Sequence, residues 1–138
     1  AVDPRAPLIV GDMGDQALVE TIMRLHGVDA VIHFAARIVV PDSVSDPLGY
    51  YLANTVKTRA VMAACVAQGV RHMIFSSTAA VYGTPEVMPV SEEAPTRPES
   101  PYGTSKLITE WMLRDAAAAH DLSYVVLRYF NVAGADPK

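Results

Sequence analysis

A tyrosine and a lysine four positions apart, Tyr102 and Lys106, form the pair of side chains best suited to proton transfer in this sequence. Residues at this spacing project from the same face of a helix, so their functional groups come close together. A nearby ammonium favours the phenolate form of a tyrosine, which lets the phenol exchange protons with an alcohol near neutral pH. The same pattern also occurs as a solvated pair on an exposed helical turn, so the pair alone does not establish an active site.

Hydroxyl and amide side chains stand where two predicted strands end. Ser76, Ser77 and Thr78 close the third apolar run of the chain, and Asn131 follows the fourth. In an open α/β sheet, ligands bind outside the carboxyl ends of the strands, where such groups can hydrogen-bond a substrate oxygen. Serine and threonine also cap turns, but the helix carrying Tyr102 is the next helix after Thr78. The polar groups therefore converge on one rim of the sheet and predict a site there.

An acidic residue, Asp12, follows the first predicted strand at the same rim. A carboxylate in that place can accept a hydrogen bond from the amino group of an adenine ring. Its position is explained equally well as the N-terminal cap of the helix that follows. The histidines have no cysteine or acid at ligand spacing, so we predict core or surface roles for them and no metal site. They are His26, His33, His72 and His120.

The elements that position these residues alternate between short β-branched runs and longer helical patterns. The order βαβαβαβ predicts an α/β fold with a doubly wound parallel sheet. Proline-rich residues 82–101 are predicted as a surface loop and a candidate wall of the site. Strands are predicted at 8–10, 30–35, 72–76 and 124–130, and helices begin at Asp15, Asp46 and Ser100 and end near Gly27, Gly69 and His120.

The composition is that of one ordinary globular domain: 138 residues, 51% hydrophobic and 19% charged. A net charge of −4 argues against the basic stripe of a nucleic-acid-binding protein. No apolar run approaches the ~20 residues that cross a bilayer. The first residues lack the basic and apolar regions of a secretory signal, so we expect a cytoplasmic location. The single Cys65 is predicted to be a buried thiol in a reducing compartment.

Five segments, taken in order, resemble the successive signatures of the UDP-glucose 4-epimerases (UDP-galactose 4-epimerases), which are extended short-chain dehydrogenases/reductases. The similarity covers nearly the whole chain with the order and spacing of that family. It implies that residues 1–138 are part of an NAD(P)-binding, Rossmann-like domain. The segments are VIHFAA (31–36), DPLGYYLANT (46–55), IFSSTAAVYG (74–83), SPYGTSK (100–106) and LRYFNVAGA (127–135).

The resemblance implies an isomerase of galactose and nucleotide-sugar metabolism that interconverts UDP-galactose and UDP-glucose with a tightly held NAD. In this family NAD accepts hydride from C4 of the hexose, while Tyr102 would take the proton of the 4-hydroxyl. The 4-keto intermediate turns over in the site and receives the hydride on its other face. By the same resemblance, Lys106 binds the nicotinamide ribose and favours the phenolate of Tyr102, and Thr78 hydrogen-bonds the reacting oxygen.

The resemblance also implies, position by position, the residues that line the rest of the site. At the sugar nucleotide the matching residues are Thr78, Tyr102 and Asn131. At the cofactor they are Asp12 and Met13 on the adenine side, Phe34, Ala35, Ala36 and Arg37 in a loop, Asn54 on a nearby helix, Phe130 beside the nicotinamide, and Thr78, Tyr102 and Lys106.

Three positions depart from the family pattern, and a fourth, Arg37, lies next to two of them. Many relatives have glycine where Ala36 stands, and a lysine that often touches cofactor or phosphate is Ile38 here. Arg37 is adjacent and can substitute, although a planar guanidinium reaches differently from an ammonium. Thr78 replaces the usual serine and keeps the hydroxyl.

The sequence contains neither the G-x-x-G-x-x-G turn that binds pyrophosphate at a helix N-terminus nor the C-terminal portion that grips uridine in this family. In the 3-2-1-4-5-6 strand order, residues 8–10 would be family strand three, and family strands one and two are absent. Residues 8–10 then have no partner, and residues 31–34 form an open apolar edge. We therefore expect a central fragment whose gene encodes a 4-epimerase and which is inactive by itself.

Two other interpretations stay open. One is another NAD-dependent sugar-nucleotide epimerase or dehydratase. Dehydratases generally carry an Asp-Glu pair after the threonine, whereas Ala79 and Ala80 follow Thr78 here, which favours epimerisation. The other is a non-catalytic domain on a decayed epimerase fold, against which the intact Tyr102 and Lys106 argue. We expect a UDP-sugar substrate, a homodimer in the full-length parent, and neither nucleic acid nor membrane as partner.

Overall fold

The computed structural model describes Asp3 and residues 5–132, which form a parallel β-sheet flanked by helices. The alternation of strands and helices confirms the predicted α/β fold. The strands are β1 (Ala30–His33), β2 (His72–Thr78) and β3 (Ser123–Tyr129). The helices are α1 (Gln16–His26), α2 (Val40–Ser45), α3 (Pro47–Tyr50), α4 (Lys57–Gln68) and α5 (Pro101–Ala119), with a π-helix at Tyr51–Val56 and a 3-10 helix at Ala79–Tyr82.

The three described strands lie in the order β1-β2-β3, and both pairs are parallel. The register places His33 opposite Phe75 in the first pair and Thr78 opposite Tyr129 in the second. Because the strands run in the same direction, their carboxyl ends meet at one edge of the sheet. Residues that follow Thr78 and Tyr129 therefore leave the sheet side by side, as the predicted rim requires.

Side-chain caps confirm the three predicted helix starts. Asp15, Asp46 and Ser100 each accept a hydrogen bond from the backbone N–H three residues later, at 3.0 to 3.1 Å. Such a bond satisfies one of the N–H groups that the first turn of a helix leaves unpaired. Gly27 and Gly69 end α1 and α4 in the left-handed conformation, with φ of 58° and 69°, which glycine adopts without steric cost.

The strand predicted at residues 8–10 is wrong. These residues have no sheet partner within the described part of the chain, and Leu8 and Val10 are exposed. A β-strand needs a neighbour to pair its N–H and C=O groups, which an apolar run cannot supply by itself. The predicted open edge at residues 31–34 is present, because β1 ends the described sheet and leaves Ile32 and Phe34 exposed.

The region between β1 and β2 is more helical than predicted. The stretch expected to be a loop contains α2, which has Pro41 in its first turn, where a missing N–H costs no hydrogen bond. The predicted helix at 46–68 forms, but its middle turn, Tyr51–Val56, is a π-helix. A π-turn holds an extra residue per turn and is frequent at functional sites.

The main core packs β2 against α1, α4 and α5. Burial raises the pKa of the Cys65 thiol to about 11, so it is the predicted inert apolar thiol. His33 is also in this core, where Nε2 lies 2.8 Å from Thr58 Oγ1 and desolvation, followed by the charge of Lys106, lowers its pKa to about 4. The buried core residues include Met23, Val61, Met62, Ala64, Cys65, Val70, Met73, Phe75, Leu113 and Leu122.

The described residues contain neither a membrane-spanning helix nor a group of metal-ligating side chains. None of their helices combines the length and the apolarity that crossing a membrane requires. Within the same residues, no three histidine, cysteine or acidic side chains gather into a potential metal site.

Candidate active site

The Tyr102–Lys106 pair lies on the first two turns of α5, directly after the Ser100 cap. Lys106 is only 3% exposed, and its Nζ donates to Ser76 O at 2.9 Å and lies 4.9 Å from the centre of the Phe75 ring. Burial strips water from the ammonium and lowers the pKa of Lys106 to about 8. Tyr102 is half-buried. The alternative of a solvated pair on an exposed turn is therefore wrong for the lysine.

Thr78 ends β2 beside this helix. Its Oγ1 accepts a hydrogen bond from Ala80 N at 3.1 Å, which starts the 3-10 turn after the strand. The first turn of α5 rests on that 3-10 turn so closely that a Cβ on Gly103 would lie 2.8 Å from Ala80 O. The end of β2 and the start of α5 thus meet, and Thr78, Tyr102 and Lys106 belong to one compact arrangement.

Gly103→Ala in the full-length protein is expected to lower both kcat and the unfolding midpoint. Alanine normally stabilises a helix by about 1 kcal/mol over glycine, but here its methyl group would press on the Ala80 carbonyl and push α5 away from Thr78. Ala118→Gly, at the exposed end of the same helix, gives the ordinary size of the propensity effect. A Gly103→Ala variant that is more stable than wild type and fully active would contradict the close contact.

Phe130 and Asn131 follow β3 at the same edge of the sheet. The register places Tyr129 level with Thr78, so these two residues lie just beyond the end of β2. Both side chains are exposed. Their position agrees with the predicted convergence on one rim, and their exposure leaves them free to contact a ligand.

A groove of about 600 Å³ joins the two loops that follow the N-terminal apolar run and β1. Five residues predicted at the cofactor meet there, together with a lysine from α4. Their small or flexible side chains leave the backbone of both loops open to a ligand. The lining residues are Gly11, Asp12, Met13, Ala35, Ala36, Arg37, Ala53 and Lys57.

Asp12 is not the helix cap that its position also allowed, because Asp15 fills that role. Its Oδ1 accepts a hydrogen bond from Gly14 N at 2.8 Å, and its Oδ2 pairs with Lys57 Nζ at 2.6 Å. The Lys57 ammonium, followed by the Gly14 N–H, holds the pKa of Asp12 below its usual value. An ionised, hydrogen-bond-accepting carboxylate therefore stands at the groove.

Arg37 occupies the other end of the groove, and its guanidinium is already engaged. Nη1 donates to Asp46 Oδ2 at 2.7 Å, and the guanidinium carbon lies 4.4 Å from the centre of the Tyr50 ring. The Asp46 carboxylate raises the pKa of Arg37 further. For Arg37 to contact a phosphate in place of the lysine that is absent at position 38, its guanidinium must share or leave the pairing with Asp46.

Asn54 is placed behind the cofactor loop. Its side chain is 2% exposed and lies in the π-helix. Oδ1 accepts from Arg37 N at 2.8 Å, while Nδ2 donates to Arg37 O at 3.0 Å and to Ser105 Oγ at 3.1 Å. Because both ends of the amide are used within the protein, Asn54 positions the loop through its backbone. The direct contact to the cofactor that the resemblance implies for Asn54 stays a prediction.

Two residues of this arrangement escaped the sequence analysis. Lys57 could have been found from its position three residues after Asn54, which places both on one side of the helix. Ser105 carries no such signal, because its partners Asn54 and Tyr102 O are recognised only in three dimensions.

The whole chain, residues 1–138, matches the sequence model of the NAD dependent epimerase/dehydratase family. The chain belongs to this family. Its nearness to the UDP-glucose 4-epimerases within the family is as predicted from the five segments. A UDP-glucose 4-epimerase of Azospirillum brasilense is 57% identical over 137 residues, which cover 99% of this chain and 39% of that protein.

Solved structures of the epimerase/dehydratase family share the fold. The UDP-glucose 4-epimerase from Brucella ovis in complex with NAD superposes with a TM-score of 0.91 at 45% identity, covering 93% of this chain and 39% of that one. The UDP-glucose 4-epimerase from Bifidobacterium longum in complex with NAD+ and UDP superposes with a TM-score of 0.87 at 42% identity, covering 92% and 39%. The predicted Rossmann-like fold is thereby confirmed, and the chain spans about two fifths of these relatives' length.

Proposed function

We propose that the full-length protein containing this chain is a UDP-glucose 4-epimerase that interconverts UDP-galactose and UDP-glucose with bound NAD. The observation that carries the proposal is the buried Lys106 ammonium, fixed to β2 beside Thr78 and on the same helix face as Tyr102. Burying a charge is costly, so a lysine in this place points to chemistry. The names of the similar proteins support the substrate and the cofactor.

The described groove fits the adenine half of a dinucleotide. Asp12 offers a carboxylate oxygen to an amino group, Met13 offers an adaptable apolar side chain to a ring, and Ala35 and Ala36 allow close approach to the backbone. For the nicotinamide half, outside this groove and at the predicted rim, Lys106 offers an ammonium to ribose hydroxyls, and Phe130 offers an exposed ring to the nicotinamide. When bound, the nicotinamide supplies reversible hydride exchange with C4 of the hexose.

The residues of the chain handle the proton and the position of the sugar. Tyr102, as phenolate, accepts the proton of the 4-hydroxyl and returns it when the ketone is reduced again on its other face. The Lys106 ammonium favours the phenolate by its positive charge. Thr78 donates a hydrogen bond to the reacting oxygen, and Asn131 holds the sugar nucleotide at the rim. Protons balance over one turnover, because Tyr102 ends in the form in which it began.

The experiment that tests this function is direct. Purified full-length protein is given UDP-galactose, and the product is identified by NMR; formation of UDP-glucose at an equilibrium ratio supports the proposal. A panel of other UDP-sugars distinguishes related 4-epimerases. Accumulation of a dehydrated 4-keto-6-deoxy product would overturn it in favour of a dehydratase, a reaction that Ala79 and Ala80 disfavour because they offer no acid or base next to Thr78.

We further propose that residues 1–138 are the central part of the NAD-binding domain and are inactive by themselves. The exposed apolar edge at Ile32 and Phe34 and the unpaired residues 8–10 support this. Calorimetric titration of the 138-residue chain with NAD tests it beside the full-length protein. Micromolar binding and turnover by the chain alone would contradict the proposal.

The helix from Pro47 to Gln68 supports a homodimer of the full-length protein. Leu48, Leu52 and Val56 are 79%, 53% and 52% exposed, whereas Tyr50 and Asn54 between them are buried. Residues four positions apart lie on the same face of a helix, so these three apolar side chains form an exposed apolar stripe. An exposed apolar stripe of this kind is typical of an interface.

Leu52→Asp is expected to convert a dimer of the full-length protein into monomers, because it places a charge in the middle of the stripe. Light scattering after size-exclusion chromatography measures the mass. Leu25→Asp is the matched control, since Leu25 is equally apolar and 72% exposed on α1. A Leu52→Asp protein that stays dimeric would exclude this face as the interface.

A further inference from the structure

A buried acid on α5, Glu110, joins that helix to two strands. Glu110 is 7% exposed. The Ser77 hydroxyl on β2 donates a short hydrogen bond to Glu110 Oε1. From β3, Arg128 donates to the same carboxylate through Nη2 at 2.7 Å and through Nε at 3.2 Å to each oxygen. Glu110 is thus the buried acid that pairs with Arg128.

Arg128 extends this network to the segment that follows β2. Nη1 donates to Tyr82 OH at 2.8 Å and to Glu92 O at 3.2 Å, and the guanidinium carbon lies 4.9 Å from the centre of the Tyr82 ring. The Glu110 carboxylate raises the pKa of Arg128, so the guanidinium keeps its charge. One ion pair therefore connects β2, β3, α5, the 3-10 turn and the loop at 83–100.

Each end of the network adjoins a residue proposed to act in the reaction. Ser77 precedes Thr78, and Glu110 follows Lys106 by one turn of α5 and Tyr102 by two turns. Because Ser77 and Arg128 hold Glu110 from two sides, α5 cannot slide or rotate against β2 without breaking these bonds.

Stability alone does not explain the pair. Exchanging a buried ion pair for apolar residues of similar volume is often neutral or stabilising, because desolvation offsets the attraction between the charges. A forked guanidinium–carboxylate contact fixes distance and angle, which apolar packing does less strictly. The pair is therefore best explained by the geometry that it enforces.

We propose that Glu110 and Arg128 are positioning residues that set the register of α5 against β2, so that the hydroxyl groups of Thr78 and Tyr102 hydrogen-bond the same substrate oxygen. The inference rests on the proposed epimerase function and adds to it two residues that do not touch the substrate. It predicts that loss of the Glu110–Ser77 link lowers the rate of proton transfer and leaves ligand binding intact.

The test uses the full-length protein with Glu110→Gln, Ser77→Ala and both changes together. We expect kcat to fall at least about tenfold in each single variant, with KM for UDP-galactose within about twofold of wild type. The double variant should lose no more than the worse single one, because both changes act on the same Ser77–Glu110 hydrogen bond, which loses its charge in Glu110→Gln and its donor in Ser77→Ala. Asp115→Asn, an exposed carboxylate on the same helix paired with Arg114, is the matched control with unchanged kcat.

Ser77→Ala keeps the proposal testable if Glu110→Gln does not fold. Wild-type kcat in a folded Ser77→Ala protein, or additive losses in the double variant, would overturn the positioning role. Losses of kcat that reflect only a smaller folded fraction of the variant, as measured by the unfolding midpoint and the soluble yield, would also overturn the positioning role.

A crystal structure of the Ser77→Ala variant provides a readout without turnover. Movement of Lys106 Nζ away from Ser76 O, 2.9 Å apart here, or of Thr78 from its present place supports the proposal. An unchanged α5–β2 register refutes it. If the wild-type protein shows no interconversion, the proposed function fails, and this structural measurement still decides the positioning role.

Discussion

Tyr102→Phe is expected to reduce kcat of the full-length protein by about 100- to 10,000-fold, the range that general acid–base catalysis contributes. Phenylalanine keeps the ring at the start of α5 and removes only the oxygen that we propose exchanges a proton with the substrate. Cofactor content and the unfolding midpoint should stay close to wild type. Turnover is measured by conversion of UDP-galactose to UDP-glucose.

Tyr124→Phe is the matched control for this variant, because Tyr124 lies on β3 away from the predicted rim and is partly exposed. It should retain full activity. Turnover near the wild-type rate in the Tyr102→Phe protein would rule out proton transfer by this tyrosine and with it the mechanism proposed above.

Lys106→Met has opposite expected effects on activity and on stability. The variant should lose most of its turnover, because no ammonium favours the phenolate of the neighbouring tyrosine. It should also unfold at a higher temperature at pH 7. Removing the charge relieves a desolvation cost on the order of 3 kcal/mol, at about 1.4 kcal/mol for each unit by which the pKa of Lys106 falls from 10.5 to about 8.

The pKa of Lys106 also predicts how the stability difference between Lys106→Met and wild type changes with pH. Because the pKa of Lys106 is lower in the folded than in the unfolded protein, its cost to stability is complete below about pH 8. The cost shrinks between about pH 8 and the unfolded value of 10.5, because over this interval the folded protein has released the proton and the unfolded protein still binds it. The stability difference between Lys106→Met and wild type should therefore narrow over that interval.

Two further measurements test whether Lys106 is buried and charged: the pH dependence of wild-type kcat, and the stability of a control variant at Lys57. Wild-type kcat should decline above about pH 8, where Lys106 becomes neutral. Lys57→Met should show neither the gain in stability nor its pH dependence, because Lys57 lies at the protein surface and pairs with Asp12. A constant stability difference from pH 7 to 10 would mean that Lys106 is not buried as described.

Local signals in the sequence predicted the elements, and their limits explain the errors. The capping residues Asp15 and Ser100 and the terminating glycine Gly69 predicted helix ends correctly, because capping interactions act within a few residues. The apolar run at 8–10 has the composition of a strand but forms none here, because the family strands that would pair with it are absent from the sequence. The π-turn was missed because one extra residue leaves little trace in the pattern of apolar positions.

The candidate site was predictable where residues stand close in the chain or match a known family, as with Tyr102 and Lys106. The contacts of the site between residues far apart in the sequence were not predictable. Nothing in the sequence selects Glu110, among 15 acidic residues, as the partner of Arg128. The bonds from Asn54 to Arg37 and Ser105 span 17 and 51 positions, and no periodicity reports on such distances.

The Asn54 amide holds the loop after β1 much as another strand would. Its oxygen and nitrogen bind the N–H and C=O of Arg37, which is the pairing that one residue offers another in a sheet. The backbone of the loop at Arg37 is thereby fixed through its N–H and C=O groups, whichever side chains stand at positions 36 and 38. Substitutions such as Ala36 and Ile38 can then accumulate without reshaping it. This loop is a place where cofactor contacts can diverge during evolution at little risk to folding.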